Sequence, residues 1–187
     1  MKGVERTGGM KRQWAADELA EHWTLYPADE TLLVNKAAAT RLGCALLLKY
    51  FQVDGRFPQH KGDVPAAAIV HVAQQLDIPP ELYTQYDWGG RTIEFHRAQI
   101  RQALGFREAT VQDADDLAAW LGQDVLPHEH RPEQLQAAIY ARCRAGHIEP
   151  PAPRRIDRLI RSALRAYEER LYQGVLVRIG EDREAAG

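Results

Sequence analysis

The sequence predicts an all-α protein of about nine helices, packed as two consecutive small lobes of helix-turn-helix type. Apolar residues recur at spacings of three and four along most of the chain, as they do on one face of an α-helix. Between Val111 and Leu121, for example, the apolar positions share one stripe that begins directly after Thr110, a residue type that caps helices. Apart from a short stretch near the end of the chain, nothing alternates with the period of two that is typical of a strand.

Proline and glycine mark where the predicted helices begin and end. A densely apolar helix from Lys36 to Val53 is expected at the centre of the first lobe and ends at Asp54-Gly55. A helix from Pro65 is interrupted by residues 77–79 and followed by a short second helix, a pattern shared by helix-turn-helix pairs and other helical hairpins. Further helices are expected over residues 15–23, 27–33, 92–104, 110–121, 132–144 and 153–171.

The predicted division of the chain follows a reversal of charge. Residues 88–107 carry four arginines and one glutamate (+3), residues 108–149 eight acids and three arginines (−5), and residues 150–178 seven arginines and three acids (+4). We expect a first helical lobe over residues 14–107 and a second over 108–178. The charged segments 1–13 and 179–187 are expected to be disordered tails.

Composition excludes several classes of protein. Apolar residues make up 45% of the chain and charged residues 27%, which fits a packed, soluble domain. No apolar run approaches the roughly 18–20 residues that a membrane span needs, and no signal peptide is visible. Cys44 and Cys143 lie too far apart in sequence to suggest a disulfide scaffold. A cytoplasmic location is therefore expected, with no membrane partner.

The sequence predicts no catalytic site, metal, cofactor or small-molecule substrate. It contains no glycine-rich phosphate loop, no nucleophile elbow and no zinc-ligand spacing. His128 and His130 are two residues apart, between prolines, and are expected to be surface histidines rather than metal ligands.

Three basic segments are candidates for contact with a polyanion. The last long helix carries arginines at i, i+4, i+7 and i+11, apart from its apolar face. The segment from Arg91 to Arg101 has Arg97 and Arg101 at i, i+4, with His96 and Gln99 as hydrogen-bonding tips. The loop after Asp54-Gly55 is basic and aromatic. A solvated helix face gives similar patterns, so this alternative stays open. The candidate DNA-contacting residues are Arg56, His60, Lys61, Arg91, His96, Arg97, Gln99, Arg101, Arg154, Arg155, Arg158, Arg161 and Arg165.

A series of segments in one order carries a family resemblance. They are residues 11–14, 21–25, 39–43, 46–51, 55–58, 86–88, 90–93, 96–101, 104–107 and 148–163. From Lys11 to Arg170 the chain resembles the N-terminal region of Tn-three-family transposases, the class II replicative kind. Residues 94–95 (Glu-Phe) depart from the basic character expected there, and the likeness is lost after Leu171.

The resemblance implies an all-helical module that recognises the terminal inverted repeats of a transposon as double-stranded DNA. The family's Asp-Asp-Glu catalytic domain is not expected in this chain, so no enzyme activity is predicted. The alternative is a truncated transposase that acts through protein contact with the full-length transposase. Within the module, the α-helical arginines from Arg154 to Arg165 are expected to supply general affinity. Arg97 or Arg101 is expected to contact guanine.

Overall fold

The computed structural model describes the backbone of residues 10–185 and the side chains of residues 10–174. The predicted all-α class is confirmed, and no described helix is long and apolar enough to cross a membrane. Residues 1–9 and 186–187 of the expected tails lie outside the described part. The elements are α1 (Ala16–His22), α2 (Pro27–Glu30), α3 (Ala38–Asp54), α4 (Ala66–Leu76), α5 (Arg91–Leu104), β1 (Arg107–Glu108), α6 (Val111–Trp120), α7 (Pro132–Ala145), β2 (Ile148–Glu149) and α8 (Pro153–Ala185).

The described chain divides into two compact units. Residues 10–108 and 147–149 form the first unit, and residues 109–146 and 150–185 form the second. Residues 147–149 belong to the first unit because β2 pairs in parallel with β1, with Arg107 opposite Ile148 and Glu108 opposite Glu149. The sequence-based division at residue 107 does not include this return of the chain.

Helix α3 is the core of the first unit, as its apolar sequence predicts. Every residue from Leu42 to Phe51 is buried, because α4, α5 and a 3-10 turn over Pro80–Gln85 all pack against it. The helix ends at Gly55, whose φ of 77° lies in the left-handed region that favours glycine. Burial of this largely apolar run removes hydrophobic surface from water and so stabilises the unit.

A buried ion pair fastens α2 to α3. The Lys49 ammonium lies 3.5 Å from Asp29 Oδ2, and both side chains are almost fully buried. The Asp29 carboxylate also accepts hydrogen bonds from the Tyr26 backbone N–H and the Gln52 amide. Burial lowers the pKa of Lys49, and Asp29 opposes that shift. The carboxylate is thus satisfied on several sides, as a buried charge requires.

The second unit is built around the apolar face of α8. A π-helical turn, Leu121–Val125, extends α6, and both pack with α7 against α8. The buried residues of this unit are Ala114, Leu117, Leu121, Leu126, Leu135, Ile139, Cys143, Ile156, Leu159, Ile160 and Ala163. Where α8 contacts the π-helical turn, the Arg170 guanidinium donates a hydrogen bond to the carbonyl of Gly122 at 3.2 Å.

Two elements differ from the sequence-based expectation. The second helix of the predicted helix-turn-helix pair is a six-residue 3-10 helix, Pro80–Gln85, which begins directly after Pro79. Helix α8 continues to Ala185 instead of ending near Leu171. No proline follows Pro153, and one glycine inside a helix costs only about 1 kcal/mol, too little to end it at Gly174.

Candidate nucleic-acid interface

Helix α8 carries a row of arginines opposite its buried face. At 100° per residue its four arginines fall within about 60° of one another on the helix surface. All four side chains are exposed, while the opposite face forms the core of the second unit. We call this row the arginine stripe: Arg154, Arg158, Arg161 and Arg165.

The stripe has no acidic partner among the described side chains. Its one recorded hydrogen bond runs from Arg161 Nε to the carbonyl of Asp157, at 3.3 Å. By contrast, Arg131 in the same unit is held by Glu129 at 2.6 Å. At 1.5 Å per residue the stripe extends about 16 Å, and each DNA strand presents one phosphate per ~3.4 Å of axis. Arg155, beside the stripe, is half-buried.

His96 lies in the core of the first unit, not on its surface. Its imidazole is 2% exposed, its Nδ1 is 2.8 Å from the Tyr86 hydroxyl, and the two rings are parallel. Tyr86 in turn lies so close to Gly43 that a Cβ there would be 2.2 Å from its ring. Burial, with a smaller effect of Lys36, lowers the pKa of His96 to about 4. The expectation that His96 offers a hydrogen-bonding tip to DNA is therefore corrected: it is a neutral core residue.

Arg101 is used inside the first unit as a clamp. Its guanidinium reaches Glu108 at 2.5 Å and Glu149 at 2.6 Å, and the side chain is only 14% exposed. These contacts join the end of α5 to β1 and β2. Burial raises the pKa of Glu149, and Arg101 opposes that shift. A guanidinium with two carboxylate partners has little capacity left for a guanine edge.

Arg97 holds the basic loop against α5. One of its terminal nitrogens donates to the carbonyl of Pro58 at 2.9 Å, and its guanidinium lies 5.5 Å from the centre of the Phe57 ring. The side chain is half-buried. Arg97 is thus engaged with the loop over residues 56–62, and its role in the structure is to position that loop.

The other predicted residues of the first unit are divided between buried and exposed positions. Arg56 is mostly buried and pairs with Asp54, whereas His60 and Lys61 are exposed. Gln99 is half-buried and accepts a hydrogen bond from Lys36 Nζ at 3.2 Å. Arg91 is exposed at the first position of α5. The structure therefore leaves Arg91 and Lys61 exposed to solvent, whereas the exposed His60 has its Nε2 3.1 Å from Asp63 Oδ1.

The sequence analysis named Arg91 but missed the exposed row on α5 to which it belongs. Four residues at i, i+4, i+7 and i+11 lie opposite the buried Ile93 and Ile100. Helical spacing in the sequence indicates this row, because the four positions lie on the side of the helix opposite the apolar residues Ile93 and Ile100. We call this set the α5 row: Arg91, Phe95, Ala98 and Gln102.

The described residues show no other chemically distinctive cluster. Among them, no group of three or more His, Cys, Asp and Glu side chains is arranged to hold a metal ion. Cys44 and Cys143 are both buried and unbridged, and burial raises the pKa of each thiol to about 11. Neither is an activated thiolate at neutral pH.

The fold and these surfaces define an all-α protein with a row of arginines on one exposed helix face that have no acidic partner among the side chains of residues 10–174. The chain belongs to the family described as Domain of unknown function (DUF4158), which matches residues 2–163. It is also similar to the "Transposase for transposon Tn3926" of Escherichia coli, with 25% identity over 173 residues. The match covers 92% of this chain and 17% of that transposase, so the chain spans about a sixth of the relative. The predicted resemblance to a transposase is confirmed.

Proposed function

We propose that this chain binds double-stranded DNA at the terminal inverted repeats of a transposon and does not itself catalyse strand transfer. The observation that carries the proposal is the arginine stripe, exposed and without acidic partners among the described residues. The similarity to a transposase supports DNA as the polyanion.

The arginine stripe places like charges next to one another on the helix surface, and the exposed Asp157, three residues after Arg154 and four before Arg161, offsets only part of their repulsion. Neighbouring members are three or four residues apart, and like charges at these spacings destabilise a helix by a few tenths of a kcal/mol per pair. A solvated helix usually avoids this cost by alternating acids with bases. Phosphates offset the repulsion, and release of their condensed counterions adds favourable free energy.

A competition titration tests the proposal. A fluorescent duplex of the transposon's terminal repeat is bound by the 187-residue chain and displaced with unlabelled repeat or with a scrambled duplex of equal composition. We expect the repeat to compete at a concentration at least about tenfold lower, since one mismatched base pair alone typically costs ~1–3 kcal/mol. Equal competition by the two duplexes, or no binding at all, would contradict recognition of the repeat.

A second candidate function is contact with a full-length transposase. Leu171 and Tyr172 are exposed on α8 beyond its packed part, where apolar groups are available to a protein partner. The two functions separate when the arginine stripe is removed, because DNA binding then falls while contact through Leu171 and Tyr172 persists. Co-purification of the stripe variant with full-length transposase measures the second function.

A further inference from the structure

We propose that the α5 row is the surface that contacts base edges in the major groove, an inference that rests on the proposed DNA binding. Arg91 would meet a guanine, Gln102 an adenine and Phe95 a thymine methyl group, while Ala98 lets the helix approach closely. These are the pairings that side-chain geometry favours in the major groove.

The row forms one narrow face of a helix of suitable size. Its four positions fall within about 60° at 100° per residue, and α5, with 14 residues, is about 21 Å long. The opposite face, including Ile93 and Ile100, is buried in the first unit. The helix is therefore held rigidly from one side and presents the other to solvent. The major groove, ~12 Å wide, admits one such helix.

Phe95 is the strongest indication that the row has a partner. It is 58% exposed, and it packs in neither hydrophobic core of its unit. Its recorded ring contact is with its sequence neighbour His96, at 6.2 Å between centroids. A phenyl ring that is 58% exposed contributes little hydrophobic burial to the fold, whereas thymine supplies an apolar methyl group between polar base edges.

Positive groups flank the row on both sides, as the two phosphate backbones flank a groove. On one side Lys36 lies against Gln99 at 3.2 Å. On the other side Arg97 holds the carbonyl of the buried Pro58, and the exposed Lys61 follows three residues later. Gln99 and Arg97 project from roughly opposite sides of α5 relative to the row. Glu94, the one acid of α5, is also exposed beside the row, but Lys36, Arg91 and Lys61 outnumber it, so the charge arrangement favours DNA over an apolar protein groove as the occupant.

Substitutions in the row should remove sequence preference while retaining general affinity. We expect Phe95→Ala and Gln102→Ala each to weaken binding to the terminal-repeat duplex about tenfold to a hundredfold and to change scrambled-duplex binding little. Arg91→Lys keeps the charge but loses the two-pronged guanine contact, so it should behave in the same way. The matched control Gln74→Ala removes an exposed glutamine from α4 and should leave both affinities unchanged.

A base analogue isolates the contact of Phe95. Replacing every thymine of the repeat by uracil removes only the C5-methyl groups from the major groove. The wild-type chain should bind the uracil duplex several-fold more weakly than the thymine duplex. Phe95→Ala should bind the two duplexes with more nearly equal affinity, because the group that senses the methyl is gone. Equal sensitivity of the wild type and Phe95→Ala would overturn the assignment of Phe95.

The outcomes separate the two proposals. If the wild type prefers the repeat and the row variants, with unchanged thermal melting curves, retain that preference, the base-contacting role is overturned while DNA recognition stands. If the wild type itself shows no preference, the proposed function fails and the row assignment falls with it. If the row variants lose DNA binding to both duplexes equally, the row contacts phosphates or a protein rather than bases, which also overturns the assignment.

Discussion

Replacing all four arginines of the arginine stripe by alanine is expected to weaken DNA binding at least about a hundredfold, for the repeat and scrambled duplexes alike. At ~0.15 M salt, release of about 0.9 condensed counterions per phosphate contact is worth roughly 1 kcal/mol, which gives about 4 kcal/mol for four contacts. Because phosphates carry no sequence information, the ratio of the two affinities should change little. Equilibrium titration of both duplexes at a fixed salt concentration measures the loss.

The same variant should fold at least as well as the wild type. The four side chains are exposed, alanine is the best helix former, and the repulsion between neighbouring arginines disappears. Arg131→Ala combined with Arg142→Ala serves as the matched control, since both side chains are exposed in the same unit. If that control loses as much affinity per charge as the stripe variant, net charge rather than the stripe accounts for binding.

Stability should fall as the pH is lowered from about 6.5 to 4, because His96 is buried in its neutral form. Burial depresses its folded-state pKa to about 4, so in this window the unfolded chain binds more protons than the folded one. The contribution is fully present above the ordinary histidine pKa, is lost between pH 6.5 and 4, and levels off below. One differential proton corresponds to at most about 1.4 kcal/mol per pH unit. Burial also lowers the pKa of His71, which adds an effect of the same sign.

Urea denaturation across this pH range tests the role of His96. His96→Asn keeps a hydrogen-bonding atom near Nδ1 but cannot take up a proton, so the pH dependence should flatten even if overall stability is lower. His128→Asn is the matched control, since that imidazole is exposed and its removal should leave the slope unchanged. A slope in His96→Asn equal to that of the wild type would show that another group causes the loss.

Local sequence patterns were sufficient to predict most of the fold. The apolar residues of α3 surround the helix instead of forming one stripe, so the sequence predicts a helix that is buried on every side. The structure agrees, since all of Leu42–Phe51 are buried. The pairing of β1 with β2 was not predictable in the same way. Two-residue strands have no periodicity, and the pairing joins segments about forty residues apart.

The candidate site was predictable where exposure follows from helical spacing alone. The arginine stripe is separated from the apolar face of α8 by that spacing, and the structure leaves it exposed. On α5 the charged residues were misleading, because their partners are distant in sequence: Pro58 for Arg97 and Glu149 for Arg101. Only the assembled first unit shows that these guanidinium groups are engaged and that the α5 row is exposed.

The central claim is that the chain binds DNA through phosphate contacts of the arginine stripe. The most direct test is the dependence of the binding constant on salt concentration for the wild type and the stripe variant. If about six phosphates are neutralised, log K should fall against log salt with a slope of about −5, and loss of four contacts should make that slope shallower by roughly 3.6. A flat response of the wild type, or equal slopes for the two proteins, would contradict the claim.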